Sequence, residues 1–309
     1  MIAFLFPGQG SQKVGMGRAL ADAHPEALAV FEAADAALGE PISQLCFDGP
    51  EDRLALTENT QPAILTASVA ACRVLERAGV QPAFVTGHSL GEYSAHVAAG
   101  TLPFDETVRI VRRRGQYMQE AVPVGTGAMA AVLGLDLAGV QQACDEAAQG
   151  QIVSPANING AGQVVIAGAA EAVARAVERA KALGARRAIP LAVSAPFHCA
   201  LMKPAEDRLA PELRALAAAA PRVPVVANVD AEPKREASAA IDALVRQVSS
   251  PVRWEDVVRR LAAEGVSTYV EVGPGTVLSG LVRKILKDAT AVSFGSPADL
   301  AAVTQVVGR

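Results

Sequence analysis

The chain has 309 residues, of which 51% are hydrophobic and 19% are charged, a balance typical of a packed globular protein and not of a disordered one. Its net charge of −4 excludes the strongly basic surface with which proteins bind nucleic acid regardless of sequence, so we expect no nucleic-acid partner. No segment reaches the roughly 18 uncharged apolar residues of a membrane-spanning helix, so we expect a soluble, cytoplasmic protein with no membrane partner. The four cysteines have no metal-ligand spacing, which predicts reduced structural thiols and no metal site.

The amino-terminal part predicts strands that lead into glycine-containing loops. A strand over residues 2–6 enters the loop Pro7–Gln12, and helical periodicity runs over residues 62–78 with Gly79 after its end. A short apolar run at 83–86 then leads into Gly87-His88-Ser89-Leu90-Gly91, followed by a helix that ends near Gly100. This order predicts a strand, a tight turn and a helix.

The middle of the chain predicts a small inserted subdomain. Strands are expected at 128–133, 152–157, 163–167 and 187–193, and helices at 137–148 and 170–183. The order βαββαβ is that of a ferredoxin-like module. We therefore expect a ferredoxin-like small subdomain at residues 125–194, inserted into a large subdomain made of residues 1–124 and 195–309.

Strands and helices alternate again in the last third. Helices are expected at 205–219, 240–248, 254–263 and up to residue 286, and strands at 223–228 and 268–272. Alternation of this kind predicts an α/β fold with a mostly parallel, doubly wound sheet in the large subdomain.

The segment Gly87-x-Ser89-x-Gly91 has the pattern of a nucleophile elbow, in which small flanking residues permit a tight turn that exposes the serine hydroxyl. Ser89 is therefore the candidate nucleophile. The helix that follows has free N–H groups at its first turn, and the N–H of Leu90 can face a developing oxyanion. The alternative is a tight turn with a hydroxyl that has only a structural role.

A serine nucleophile needs a base, and the sequence contains four histidines. His88 adjoins the serine and suits a hydrogen bond that stabilises the turn, and His96 lies two helical turns farther on. His24 is in a polar stretch that predicts an exposed helix end. His198, at the predicted junction between the subdomains, remains as the candidate base.

No acidic residue is well placed to orient His198. A hydrolase elbow predicts an acid between the serine and the histidine, but Asp105, Glu106, Asp136, Asp145 and Glu146 fall at helix starts or on exposed helix faces. A Ser–His dyad with a backbone carbonyl in place of the acid is expected, and it suits exchange between thioesters.

Three consecutive arginines, Arg112-Arg113-Arg114, follow on a predicted helix. Successive helical residues point about 100° apart, so at least one of the three lies in solvent. One could enter the cleft as a planar fork for a substrate carboxylate, which would select a dicarboxylic acyl group; the alternative is a solvated basic face. The pattern does not choose which arginine this would be.

Several segments together resemble the malonyl-CoA:acyl carrier protein transacylase family of bacterial type II fatty acid synthesis, over nearly the whole chain. They are Phe6–Gln12, Gly87–Ala95, Arg114–Gln119, Gly162–Gly168, Phe197-His198 and Val272–Gly275. The resemblance implies an α/β-hydrolase-like large subdomain with a parallel sheet and an inserted ferredoxin-like subdomain, which agrees with the pattern above.

The resemblance also implies a role for each matching residue. Ser89 is the nucleophile, His198 the base and Arg114 the clamp for the malonyl carboxylate. The main-chain N–H groups of Gln9 and Leu90 form the oxyanion hole, and the main-chain carbonyl of Gln247 orients His198. Neither Gln9 nor Gln247 is marked by composition or periodicity.

Leu90 and Phe197 match the malonyl-preferring form of the pattern, so methylmalonyl is expected to be disfavoured because an aromatic ring crowds the α-carbon. The loop Asn157–Gly162 departs from relatives that have a proline there, which leaves the roles of Asn157 and Asn159 open.

The implied reaction is a ping-pong transfer from malonyl-CoA to the phosphopantetheine thiol of acyl carrier protein, through a malonyl-serine and without a cofactor. We expect a monomer. The candidate contacts to the carrier or to CoA phosphates are Arg186, Arg187, Arg283, Lys284 and Lys287. The alternatives are a free-standing malonyl loader of a polyketide synthase, a serine esterase or thioesterase, and an inactive carrier-binding module.

Overall fold

The computed structural model describes residues 1–193 and 195–308. Its strands are β1 (Ile2–Phe6), β2 (Phe84–Gly87), β3 (Gly127–Leu133), β4 (Val153–Gly160), β5 (Gln163–Ala169), β6 (Arg187–Pro190), β7 (Val225–Val226), β8 (Pro233–Lys234), β9 (Thr268–Val272) and β10 (Thr290–Phe294). Its helices are α1 (Arg18–Ala23), α2 (Pro25–Leu38), α3 (Ile42–Asp48), α4 (Glu51–Leu54), α5 (Thr57–Arg77), α6 (Gly91–Ala98), α7 (Phe104–Glu120), α8 (Leu137–Ala148), α9 (Ala170–Ala182), α10 (Lys203–Arg214), α11 (Ala237–Gln247), α12 (Trp254–Ala263), α13 (Val277–Ile285) and α14 (Leu300–Val307). None of the described helices combines the length and apolarity needed to span a bilayer.

The larger sheet has the strand order β10-β9-β1-β2-β7-β8, and all its neighbouring pairs are parallel except β7 with β8. Strand β1 is central and buried on both faces: Phe4 and Phe6 join one hydrophobic core, and Ala3 and Leu5 join another. A continuous apolar strand of this kind is typical of a parallel sheet covered by helices on both sides. The predicted α/β class with a parallel sheet is confirmed.

The smaller sheet is antiparallel, with the order β4-β5-β3-β6. Helices α8 and α9 pack together on one face, where Val140 and Val173 share a core with Val132 and Ile166. The element order βαββαβ with this strand order is the predicted ferredoxin-like arrangement. The predicted boundary at residue 194 falls on Ser194, which lies outside the described residues, so the division of the chain stays a prediction.

Strand β4 is hydrogen-bonded to the segment between α11 and α12. The main chain of Val252 donates to the carbonyl of Ala156 (2.8 Å) and accepts from the N–H of Ile158 (2.9 Å). Because main-chain bonds of this kind leave little freedom, they fix the edge of the smaller sheet against this segment, and Val252 itself packs in the core that contains Ala3 and Leu5 of β1.

Several predicted bounds were wrong. Helix α5 begins at Thr57, not at residue 62, and α10 ends at Arg214, not at residue 219. Strand β7 is two residues long, whereas β4 extends to Gly160. Pro62 therefore lies inside α5, where it has no N–H to donate to the carbonyl of Glu58, and is not the start of the helix.

The glycines of the elbow allow α6 to lie directly against β1. A Cβ added at Gly91 would come within 1.9 Å of the carbonyl oxygen of Phe6, and one at Gly87 within 2.0 Å of the carbonyl carbon of Gly91. The helix therefore packs main chain to main chain on the sheet.

Replacement of Gly91 by alanine is expected to lower the free energy of unfolding by about 2–4 kcal/mol, because neither backbone can move away without disturbing the sheet. Gly280→Ala is the matched control, since Gly280 lies within α13 and has nothing within 4 Å of its added Cβ. Its expected effect is a gain of about 0.5–1 kcal/mol. Urea unfolding of both variants checks this; equal effects would contradict the packing described.

Candidate active site

Ser89 lies between β2 and α6 in a left-handed backbone conformation, with φ of 53°. Its Oγ is 2.6 Å from Nε2 of His198. A non-glycine residue pays a conformational cost at positive φ, and such residues concentrate at functional sites. The turn thus brings the predicted nucleophile and base into direct contact.

The backbone of Ser89 is held by side chains that are distant in sequence. Its N–H donates to Oδ1 of Asn228 (2.8 Å), and its carbonyl accepts from Nε2 of Gln247 (2.9 Å). Asn228 also donates from Nδ2 to the carbonyl of Gly87 (2.7 Å). Both backbone groups of the strained residue are therefore satisfied within the protein.

His198 is also in the left-handed region, with φ of 60°. Its Nδ1 is 3.0 Å from the main-chain carbonyl oxygen of Gln247. A carbonyl only accepts, so Nδ1 carries the proton and Nε2 presents a lone pair to the Ser89 hydroxyl. The position of a triad acid is thus taken by a backbone carbonyl.

The environment keeps His198 neutral. Burial, with the nearby charge of Arg114 as a smaller cause, lowers the pKa of His198 to about 3. A neutral imidazole is the form that can accept the serine proton.

Arg114 is the one arginine of the three that enters the cleft. It is 2% exposed, and its guanidinium donates to Oε1 of Gln61 (2.8 Å), to Oε1 of Gln247 (3.0 Å) and to Oγ of Ser89 (3.3 Å). All three acceptors are uncharged, so the described contacts leave the positive charge without an ion-pair partner. Such a site attracts a carboxylate.

Its two neighbours face elsewhere. Arg112 pairs with Glu40 and Asn59, and Arg113 is half exposed and pairs with Glu212 (2.6 Å). The expectation that one of the arginines lies toward solvent is confirmed.

Gln9 and Leu90 border the same cavity as Ser89. The loop after β1 approaches the elbow closely, since a Cβ added at Gly8 would be 2.3 Å from the carbonyl oxygen of His88. Within residues 1–193 and 195–308, no acceptor takes the N–H of Gln9 or of Leu90. Both donors are thus available beside the nucleophile.

The cavity has a volume of about 340 Å³ and passes between the two sheets. Phe197 and His198 line the cavity, as do the apolar side chains of Leu191, Val277 and Leu281. The volume falls within the range of small-molecule sites. The described residues include no group of three His, Cys, Asp or Glu arranged to hold a metal ion.

The other three histidines stand apart from the reacting atoms. Nε2 of His88 is hydrogen-bonded to Oδ1 of Asn159 in β4 (2.9 Å), so the hydrogen bond expected of His88 links the turn to the smaller sheet. His96 is fully buried in α6. His24 lies at the end of α1 in an exposed stretch, as predicted, although its own side chain is half buried. Asn157 also borders the cavity.

Sequence reasoning did not find three buried polar residues behind the site, Gln61, Glu92 and Asn228. Each is at most 2% exposed. Asn228 follows the buried strand β7, which was a usable signal, because polar residues at the carboxyl ends of parallel strands commonly line a site. Burial raises the pKa of Glu92 to about 7.

Known proteins resemble the chain over its full length. The acyl transferase domain family matches residues 3–309. The chain belongs to this family. It is 54% identical over 305 residues to the malonyl CoA-acyl carrier protein transacylase of Salmonella typhimurium, covering 98% of this chain and 99% of that protein.

Solved structures agree with this assignment. A crystal structure of an acyl carrier protein S-malonyltransferase from Vibrio cholerae is 49% identical with a TM-score of 0.96, covering 98% of this chain and 99% of that one. A type II polyketide synthase acyl-carrier protein in complex with its malonyl-transacylase gives a chain that is 49% identical with a TM-score of 0.96, covering 100% and 99%. The predicted resemblance and the two-subdomain fold are confirmed.

A depressed pKa means that the folded protein resists protonation of His198, so the neutral form persists as the pH falls. We expect the NMR shifts of the labelled ring to report a neutral imidazole from pH 8 down to pH 5, while Arg114→Ala moves the titration upward. The His198→Ala variant assigns the resonance. Titration near the ordinary value of about 6.5 would contradict the described environment.

Proposed function

We propose that this chain transfers a malonyl group from malonyl-CoA to the phosphopantetheine thiol of acyl carrier protein, through a malonyl ester on Ser89. The observation that carries the proposal is the buried guanidinium of Arg114, which lies 3.3 Å from Ser89 Oγ and has only uncharged acceptors. The names of the relatives support it, since they are malonyl transacylases that act with acyl carrier proteins. The reaction belongs to fatty acid synthesis.

In the acylation step, His198 Nε2 takes the proton of the Ser89 hydroxyl while Oγ attacks the thioester carbonyl. The N–H groups of Gln9 and Leu90 stabilise the oxyanion. Collapse of the tetrahedral intermediate breaks the C–S bond, and the thiolate of CoA leaves with the proton from His198. The Gln247 carbonyl keeps Nδ1–H in place and stabilises the imidazolium in between.

The second step reverses the first with a new thiol. His198 deprotonates the pantetheine thiol of the carrier, sulfur attacks the malonyl ester, and Ser89 recovers its proton. Throughout, Arg114 holds the malonyl carboxylate. Because that carboxylate offsets part of the charge that lowers the pKa of His198, we expect bound substrate to strengthen the base.

Two apolar side chains restrict the acyl group. Leu90 follows Ser89 and Phe197 precedes His198; they are 1% and 9% exposed and border the cavity. Their bulk leaves little room for a methyl on the α-carbon, so the proposal includes a preference for malonyl over methylmalonyl. It includes no cofactor, a monomeric state and a cytoplasmic location.

A second candidate is the supply of malonyl to a polyketide carrier. It is favoured by the 49% identity to the transacylase in the polyketide carrier complex. The two candidates share every residue of the site and differ only in the carrier.

Intact mass spectrometry with malonyl-CoA tests the proposal. We expect a malonyl adduct on the wild type and none on Ser89→Ala. Arg114→Ala should acylate about 10- to 100-fold more slowly with malonyl-CoA, because a charge-assisted hydrogen bond contributes about 1.5–3 kcal/mol. Arg113→Ala is the matched control, since Arg113 is half exposed and pairs outside the cleft.

Two outcomes would go against the malonyl transferase. If acetyl-CoA and malonyl-CoA acylate the wild type equally fast, and Arg114→Ala changes neither rate, the site would be that of a serine acyl enzyme with no preference for malonyl. An adduct that disappears in buffer as fast as it is transferred would favour the esterase or thioesterase.

The basic end of β6 is a candidate contact for an acidic carrier. Arg186 and Arg187 are exposed, and Leu191 at the cavity lies four residues past Arg187, about 13 Å along an extended chain. Arg283 is occupied differently, because it donates to the carbonyl of Ala291 (2.8 Å).

We expect Arg187→Glu to raise the KM for the carrier about tenfold while the rate of acylation by malonyl-CoA stays unchanged, because rim charges act mainly on encounter. Arg77→Glu is the matched control, since Arg77 is exposed at the end of α5, seven residues before β2 begins, whereas the elbow follows the other end of β2. Equal effects of the two reversals would rule out this contact.

A further inference from the structure

The carboxylate of Glu92 takes no part in the proposed reaction steps, yet it contacts two residues that support the reacting groups. Glu92 is the second residue of α6 and is fully buried. Its Oε2 accepts from Nε2 of Gln247 (2.8 Å) and from the main-chain N–H of Asn228 (3.0 Å). A buried carboxylate is costly to desolvate, so one that is retained without an ion-pair partner calls for an explanation.

The two partners of Glu92 are the residues that hold the nucleophile. Asn228 accepts from the Ser89 N–H, and Gln247 donates to the Ser89 carbonyl. One carboxylate oxygen thus connects the two supports of the left-handed turn.

Glu92 is also one of the groups that set which way the Gln247 amide faces. The guanidinium of Arg114 only donates, so it requires Oε1 of Gln247, whereas Glu92 and the Ser89 carbonyl accept from Nε2. A flipped amide would place an N–H₂ group against the guanidinium and an oxygen against two acceptors. With Glu92 removed, the Ser89 carbonyl and a 3.5 Å contact to Asn228 Oδ1 are the described acceptors left to Nε2.

We propose that Glu92 is a positioning residue that fixes the Gln247 side-chain amide, and through it both the Arg114 guanidinium and the Ser89 backbone. This role rests on the proposed malonyl transfer, because it assigns Arg114 to the malonyl carboxylate. It separates two functions of Gln247: the main-chain carbonyl orients His198, while the side chain aims the clamp.

The shape of the site suggests a conservative replacement. Oε1 of Glu92 has no hydrogen-bond partner in the described part of the chain, and Oε2 makes both contacts. In Glu92→Gln the amide oxygen can take the place of Oε2, so the acceptor is kept. In Glu92→Leu a side chain of similar size has no acceptor.

The experiment measures the second-order rates of acylation by malonyl-CoA and acetyl-CoA on purified variants, with circular dichroism and Tm as checks on folding. Glu92→Leu is expected to narrow the malonyl-to-acetyl ratio about tenfold, the size of effect typical of lost supporting hydrogen bonds. Glu92→Gln should keep a malonyl-to-acetyl rate ratio close to that of the wild type. Gln247→Leu, which keeps the main-chain carbonyl, should narrow the ratio as Glu92→Leu does.

A structural role alone would slow both substrates equally and leave the ratio unchanged, and that result in Glu92→Leu or Gln247→Leu overturns the proposal. If Glu92→Leu does not fold, Glu92→Asp takes its place, because the shorter carboxylate moves away from Gln247 and should narrow the ratio too. A wild type that fails to load malonyl would instead refute the proposed function itself.

Discussion

The site depends on a serine held in a conformation that its own side chain disfavours. A non-glycine residue in the left-handed region costs about 1–3 kcal/mol, and Ser89 is fixed there by hydrogen bonds to both of its backbone groups. The donors and acceptors come from Asn228 and Gln247, well over a hundred residues away in sequence. The elbow is therefore stable only in the finished fold, where the carboxyl ends of β2 and β7 and the end of α11 meet.

The second constraint is a buried positive charge. Arg114 is surrounded by amide and hydroxyl oxygens and no described carboxylate bonds it, so its charge acts on whatever enters the cavity. Burial is the larger cause of the lowered pKa of His198, and the same charge adds to it, so the imidazole stays neutral. The Arg114 guanidinium thus acts both on an anionic group that enters the cavity and on the protonation of the neighbouring histidine.

Local patterns predicted the elements whose signal is local. Helix α12 and strand β9 have the bounds that periodicity gave, and the βαββαβ order of the smaller sheet was visible because each element is bounded by turns. Within residues 13–61 the sequence predicted only a helix end at His24, and there α1, α3 and α4 are helices of four to seven residues, which are too short to be stable without tertiary packing. Strand β7 was predicted too long because only two of its residues find a partner.

The sequence by itself determined the fold class, the candidate nucleophile and, through the small number of histidines, the candidate base. A turn motif and a choice among four residues need no tertiary information. The family resemblance named Arg114, but the spacing of the three arginines did not, and only the tertiary structure showed that Arg114 contacts the serine and how the side chains of Gln247, Asn228 and Glu92 support it. Helical spacing says that successive side chains diverge, but not which of them meets the cavity. Hydrogen bonds between residues this far apart in sequence follow from the packing of the whole chain, and no local pattern encodes them.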